Sequence, residues 1–271
     1  MKRILLIAAD SIRALLHKRL LVGLMVASIA LTVVVSMMFS SARESMTESF
    51  AVQIDADPKS PSAKMTEKEK RQFKESMEEA SFGFQMGFYF VASFGGTIVA
   101  LFIFSTAISS EIRSGTIRVT LAKPVSRTQF LVGKYLGAVA VMAAYTVVAS
   151  IAMVAFTHTQ RIELSPALTY VPWLMFWKHL MLGAVAMLLS LFMHPIVASA
   201  IALFTGNGFY SDRNPLYYLL PSYGDFDLYR EVFSGTLMDV ADVGWLTLYA
   251  IDFVVVMLLL ALWRFRKKEI V

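Results

Sequence analysis

Long uncharged stretches of the chain alternate with short charged clusters. Leu20 to Ala42, Ala80 to Ser110 and Tyr135 to Thr157 carry no formal charge. Pro172 to Tyr210 is apolar apart from Lys178, His179 and His194, and Gly244 to Trp263 holds one charge, Asp252. A helix crosses a hydrocarbon core of about 30 Å in roughly 20 residues. In lipid the backbone must satisfy its own hydrogen bonds, so such stretches read as helices. The stretch 172–210 is too long for one crossing. Pro195 lacks a donor and disfavours helix at His194. Two helices joined by a tight turn are therefore expected, with a single kinked helix as the alternative. The fold class is an all-α membrane protein, one domain over 1–271, with six spans at 20–42, 84–110, 131–157, 173–193, 195–210 and 244–263.

The segments between the spans have their own patterns. In 1–19, Ile4, Leu5, Ala8, Ile12, Leu15 and Leu16 fall on one helical side and Lys2, Arg3, Asp10, Arg13 and His17 on the other. A basic amphipathic helix beside a span suits the membrane surface; a frayed basic leader is the plainer reading. Ser40-Ser41-Ala42 looks like a cleavage site, but the charged leader and the apolar run are both too long for a signal peptide, so the span is expected to stay. In the insert 43–80, Thr66 and Glu69 have capping-box spacing, and Glu67 and Arg71 can pair one turn apart. A helix running into the second span is expected, preceded by a flexible connection around Pro58 and Pro61. The segment 211–243 is dense in aromatics (Tyr217, Tyr218, Tyr223, Phe226, Tyr229, Phe233). It reads as an interfacial belt or as a short helical cap over a translocation path.

Charge orients the chain. The two ends and the segment 111–134 hold fourteen basic residues against three acidic ones; the other connections hold ten basic and sixteen acidic. By the positive-inside rule both termini, the 264–271 tail and 111–134 are cytoplasmic, in a plasma (inner) membrane. The formal charge of +5 thus belongs to span ends and does not indicate nucleic acid. Charged residues make up 17% of the chain, against about 25% in soluble domains.

Little chemistry is visible. The chain has no cysteine, which excludes disulfides and thiol catalysis. The only Gly-Lys pair, Gly133-Lys134, is followed by Tyr135 and preceded at the phosphate-loop spacing by Thr128, so no nucleotide is bound by that motif. His17, His158, His179 and His194 lack metal-ligand spacing. Met175, Met181, Met187 and Met193 recur every six residues and share no helical face. No cofactor or metal is expected in this chain. Asp252 precedes Arg264 by 12 residues, which puts it about 18 Å in, near mid-bilayer. An ionisable group at that depth is expected to line a path through the bundle or to pair with a polar group on another span. A protonated structural carboxyl is the plainer alternative.

The segment 111–130 carries the most pattern. Ile112, Thr116, Val119 and Lys123 follow helical spacing, Pro124 ends the run, and Arg113, Arg118 and Arg127 flank it. A short exposed basic helix tied to two spans makes a lever for a partner protein. Its residues, Glu111 to Thr116 as Glu-x-x-x-Gly-Thr, then Pro124-Val125-Ser126-Arg127, then Gly133-Lys134-Tyr135-Leu136-Gly137, resemble the permeases of type-2 ATP-binding-cassette exporters. In style they are closest to the branch named for multicopper-enzyme maturation. The likeness covers most of the chain. It implies that 111–130 is a coupling loop, that Gly115 to Lys123 docks on a separate ATPase, and that Pro124 to Arg127 turn the chain into the third span. The coupling residues would be Glu111, Arg113, Gly115, Thr116, Arg118, Val119, Lys123, Pro124 and Arg127, with Asp252 as a translocation-path residue. It further implies two ATPase copies that bind ATP and Mg, and a second permease copy or paralogue. Thr120-Leu121-Ala122 is less leucine-rich than the family pattern, and the 43–80 insert is not shared by all members, which points to an extracytoplasmic accessory protein. Two other classes compete: a membrane scaffold for an ATPase without transport, and an intramembrane enzyme built on Ser105 and Asp252.

Overall fold

The computed structural model describes residues 2–55, 67–117, 125–159, 163–206 and 220–267. Among them every regular element is helical: α1 (Lys2–Leu16), α2 (Arg19–Asp55), α3 (Glu67–Ser114), α4 (Arg127–Thr159), α5 (Val171–Ser190), α6 (Pro195–Leu203), α7 (Tyr229–Ser234) and α8 (Val240–Lys267). Single 3-10 turns occupy Pro166–Thr169 and Gly224–Phe226.

Four helices are long and apolar enough to cross a membrane: Ser81–Ser114 of α3, α4, α5 and α8. A fifth crossing arises if Arg3–Leu16 and Leu21–Val35, bent by 68°, are taken as one span. The count among described residues is therefore four to five, where the sequence pattern predicts six. The expected span 20–42 counts only within the bent pair, and the described part of 195–210 is too short to cross. There α6 has nine residues, a rise of about 13.5 Å, less than half the hydrocarbon core. It is separated from α5 by a turn at 191–194, and Pro195 takes its first position, where a missing N–H costs nothing. Residues 207–219 lie outside the description, as do Thr66 and the 56–63 connection.

α3 and α5 form the centre, with 67% and 72% of their apolar windows buried, whereas α8 has 17% and lies at the edge. Apolar packing joins Phe104 of α3, Tyr135 of α4 and the α5 backbone. The Phe104 and Tyr135 rings are 5.1 Å apart, the Tyr135 hydroxyl donates to the Leu180 carbonyl at 3.2 Å, and Gly183 leaves room for the Phe104 ring.

α1 does not keep one apolar face for the membrane. Ala8, Ser11 and Leu15 are buried, while Leu5, Leu6 and Leu16 face outward. The reason lies in α4. A Cβ on Gly133 would meet Ile7 and the Ile4 carbonyl, and one on Gly137 would meet Ser11 and the Ala8 carbonyl. Two glycines a turn apart let the backbones approach, as small residues do between membrane helices. The leader is thereby packed along the first turns of α4, and its remaining leucines are left for lipid.

Candidate functional sites at the two ends of the bundle

Both chain ends meet the α3–α4 connection at one end of the bundle. α3 stops at Gly115, whose φ of 74° is left-handed and suits glycine at a helix C-terminus. Its N–H donates to the Ile112 carbonyl at 3.3 Å, the Ser114 and Thr116 hydroxyls lie 2.8 Å apart, and Ile117 is buried. Arg118, Val119, Lys123 and Pro124 lie outside the described residues.

Three of the expected coupling residues, Glu111, Arg113 and Arg127, bond to other parts of the chain, while Arg113 and Thr116 remain exposed. Glu111 on α3 forms an ion pair with Lys134 on α4, and both side chains are largely buried. Arg113 Nη1 donates to His194 Nε2 at 2.6 Å, fastening α3 to the α5–α6 turn. Arg127 Nη1 donates to the carbonyls of Phe265 at 3.0 Å and Arg266 at 2.9 Å. These are carbonyls of the last turn of α8, where a cation also complements the helix dipole. Arg266 Nη2 returns a bond to the Thr128 hydroxyl at 3.0 Å, and the Phe130 and Phe265 rings stack at 5.9 Å. Each flank of the 115–124 connection is thus bonded to a different helix.

At the opposite end a charged residue of the 220–239 segment enters the bundle. Lys178, in the eighth position of α5, donates to Asp227 Oδ1 at 2.7 Å, to Oδ2 at 2.8 Å and to the Ser93 hydroxyl at 3.0 Å. The Tyr89 hydroxyl adds a bond to Asp227 Oδ1 at 3.2 Å. His179 beside it bonds through Nε2 to the Ser93 carbonyl at 3.1 Å and is fully buried. Phe226 fills the core beneath, and its carbonyl accepts from Tyr89 at 3.3 Å. Around this point burial, and for Tyr229 also the Asp227 charge, pushes the Tyr223 and Tyr229 phenols above their ordinary range.

The family is decided by the chain as a whole. The sequence pattern described as "ABC-2 family transporter protein" matches residues 5–270, nearly the full length. The chain belongs to the ABC-2 transporter family. No curated protein sequence matches it. As an ABC-2 permease it is a membrane subunit of an ABC transporter, and such subunits are generally non-catalytic.

Within the permease Asp252 sits on the exposed side of α8, on the same helical stripe as Trp245, Tyr249, Val256, Leu259 and Trp263. It does not face the bundle interior. Ser105, the other half of the enzymatic alternative, is buried elsewhere and accepts from the Ser199 hydroxyl at 2.9 Å. Among the described residues no group of three or more His, Asp or Glu side chains is placed to hold a metal.

Sequence reasoning missed Asp227, Ser93, Tyr89, Lys134 and Lys18. Lys178 offered a signal: a lone lysine inside an apolar span needs a partner. Its partner lay in a segment read only for its aromatics.

Proposed function

We propose that this permease forms the translocation path of an ATP-driven exporter and is moved by a separate ATPase bound at the 111–130 connection. Two ATPase copies carry ATP and Mg, and a second permease copy or a paralogue completes the path. Membership of the multicopper-maturation branch belongs to the same proposal and names no substrate. So do the cytoplasmic placement of both termini and the inner-membrane location.

The observation that supports this reading best is the set of bonds on both flanks of the connection. Glu111 and Arg113 tie its first flank to α4 and to the α5–α6 turn. Arg127 ties its second flank to the end of α8. α1 packs on the same stretch of α4 through Gly133 and Gly137. A displacement of the connection is therefore delivered to most of the bundle at once, which a coupling element requires. ATP-driven closure of the ATPases would shift α3 and α4 together and carry α1, the α5–α6 turn and α8 with them.

The test uses the permease co-expressed with a candidate ATPase from its genetic neighbourhood. Reversing charge at Arg118 and Lys123 should abolish co-purification and transport-coupled ATP hydrolysis. Retention of both would refute the docking assignment. Loss of transport with ATP hydrolysis and binding intact would place the fault in the path. Binding without any transport by the wild type would favour a scaffold.

A further inference from the structure

A small pocket at the junction of α1, α3 and α4 has a charge imbalance that the coupling role does not use. It holds about 100 Å³ and is lined by Ser11, Leu15, Lys18, Ser110, Glu111 and Lys134, among others. The charged groups acting on Lys18 are Lys134, Glu111 and Arg113, three cations in all against one carboxylate. Glu111 is already paired with Lys134, and Arg113 with His194. Among the described residues Lys18 donates to the Thr106 hydroxyl, at 3.4 Å. Glu111 is thus shared between two ammoniums, and a half-buried cation whose counter-charge is incomplete is costly and favours an added anion. Burial first, and the Lys134 charge second, hold the Lys18 pKa below that of a free lysine.

The available hydrogen bonds also select an anion. The Ser11 and Ser110 hydroxyls already donate, to the Ile7 and Thr106 carbonyls at 2.8 and 2.6 Å. The spare donors are the remaining ammonium N–H groups of Lys18 and Lys134, since each ammonium carries three. The volume is far below the several hundred Å³ of a nucleotide or drug site, and suits a group the size of phosphate.

Depth gives the source. α4 has 33 residues, a rise of about 50 Å, some 20 Å more than the hydrocarbon core. With α4 centred, the hydrocarbon begins about 10 Å from its first residue, which is the level of Lys134. Leu5, Leu6 and Leu16 are exposed along α1, positioned to meet acyl chains. We propose that this pocket binds a phosphate group of the kind carried by an anionic phospholipid headgroup, held between the Lys18 and Lys134 ammoniums. Basic pockets between membrane helices take such headgroups.

The test uses the full-length permease in nanodiscs of phosphatidylcholine, with or without phosphatidylglycerol. An amine-acetylating reagent is applied, and modification at Lys18 is followed by mass spectrometry with Lys267 as the reference. Phosphatidylglycerol should slow acetylation of Lys18 and leave Lys267 unchanged. In detergent, Lys18→Gln should weaken phosphatidylglycerol retention by about tenfold, the worth of one hydrogen bond to a charged group. Lys18→Arg should retain it, and Arg19→Gln at the neighbouring exposed position should change little. Equal protection by millimolar inorganic phosphate would identify soluble phosphate as the source and leave the phosphate site standing. No protection by either, or equal loss in Arg19→Gln and Lys18→Gln, would overturn the proposal. The acetylation arm needs no variant, so it decides the matter even if Lys18→Gln fails to fold.

Discussion

Removing the Asp227 carboxylate tests the bundle where its packing is most electrostatic. The pair is largely dry: the Lys178 and Asp227 side chains are 10% and 16% exposed. Asp227 supplies both carboxylate oxygens to Lys178, at 2.7 and 2.8 Å, so Asp227→Ala leaves the ammonium with Ser93 alone. Breaking a buried pair from one side costs about 3–5 kcal/mol, because a buried charge is left uncompensated. At about 2–4 °C per kcal/mol for a chain of this size class, the unfolding midpoint should fall by about 10 °C. Replacing both partners removes the uncompensated charge, and apolar substitutes of similar volume are often neutral or better. Lys178→Met with Asp227→Leu should therefore recover most of the loss. The assay is thermal unfolding of the purified permease in one fixed detergent, followed by tryptophan fluorescence, across the full double-mutant cycle. A single Asp227→Ala variant within about 1 kcal/mol of wild type would refute the account. So would a Lys178→Met, Asp227→Leu double variant whose loss equals the sum of the Lys178→Met and Asp227→Leu singles, since coupled partners must depart from additivity.

Three further outcomes are expected. Gly137→Val should displace α1 from α4, because even a Cβ there meets Ser11 and the Ala8 carbonyl; faster proteolysis within 1–19 reads this out, with α8 protected as in wild type. Arg127→Ala removes the donors to the Phe265 and Arg266 carbonyls and should speed hydrogen exchange in the last turn of α8 while leaving its middle unchanged. Tyr223 and Tyr229 are held protonated above the ordinary phenol value of 10.0. The unfolded chain then binds fewer protons at alkaline pH, so stability should fall as pH rises above about 10, and Tyr223→Phe should lessen the slope measured by chemical denaturation.

What the sequence made legible follows from range. The helical class, the apolar positions of α3, α4, α5 and α8, and the break at His194-Pro195 rest on local periodicity and proline chemistry. The expected fifth span, 195–210, is helical over nine of its described residues, fewer than a crossing needs. α6 ends at Leu203, just ahead of Thr205-Gly206-Asn207-Gly208, turn-forming residues that a count of uncharged positions passes over. That part of the leader's apolar face packs on α4 was not legible, because it depends on Gly133 and Gly137, more than a hundred residues away. Arg113 and Arg127, read as groups for a partner, also bond within the chain, to His194 and to the end of α8, which spacing along the sequence does not reveal. Counting along the chain cannot give the side of a helix, and Asp252 lies on the exposed one. The Lys178–Asp227 pair joins positions 49 apart, a distance at which no spacing rule operates.

That separation has a consequence for how the chain is made. At about 5–20 residues per second, α5 is synthesised several seconds before Asp227 leaves the ribosome. During that interval an apolar segment with an unneutralised lysine must be placed in the bilayer, against a penalty approaching about 3 kcal/mol for a charge near its centre. Of the described partners of Lys178, Ser93 of α3 is already made. Biogenesis is therefore ordered: α3 must be in place to receive α5, and the late arrival of the 220–239 segment seals the charge. A ribosome stalled before residue 227 should leave α5 extractable from the membrane, and one stalled well after it should not.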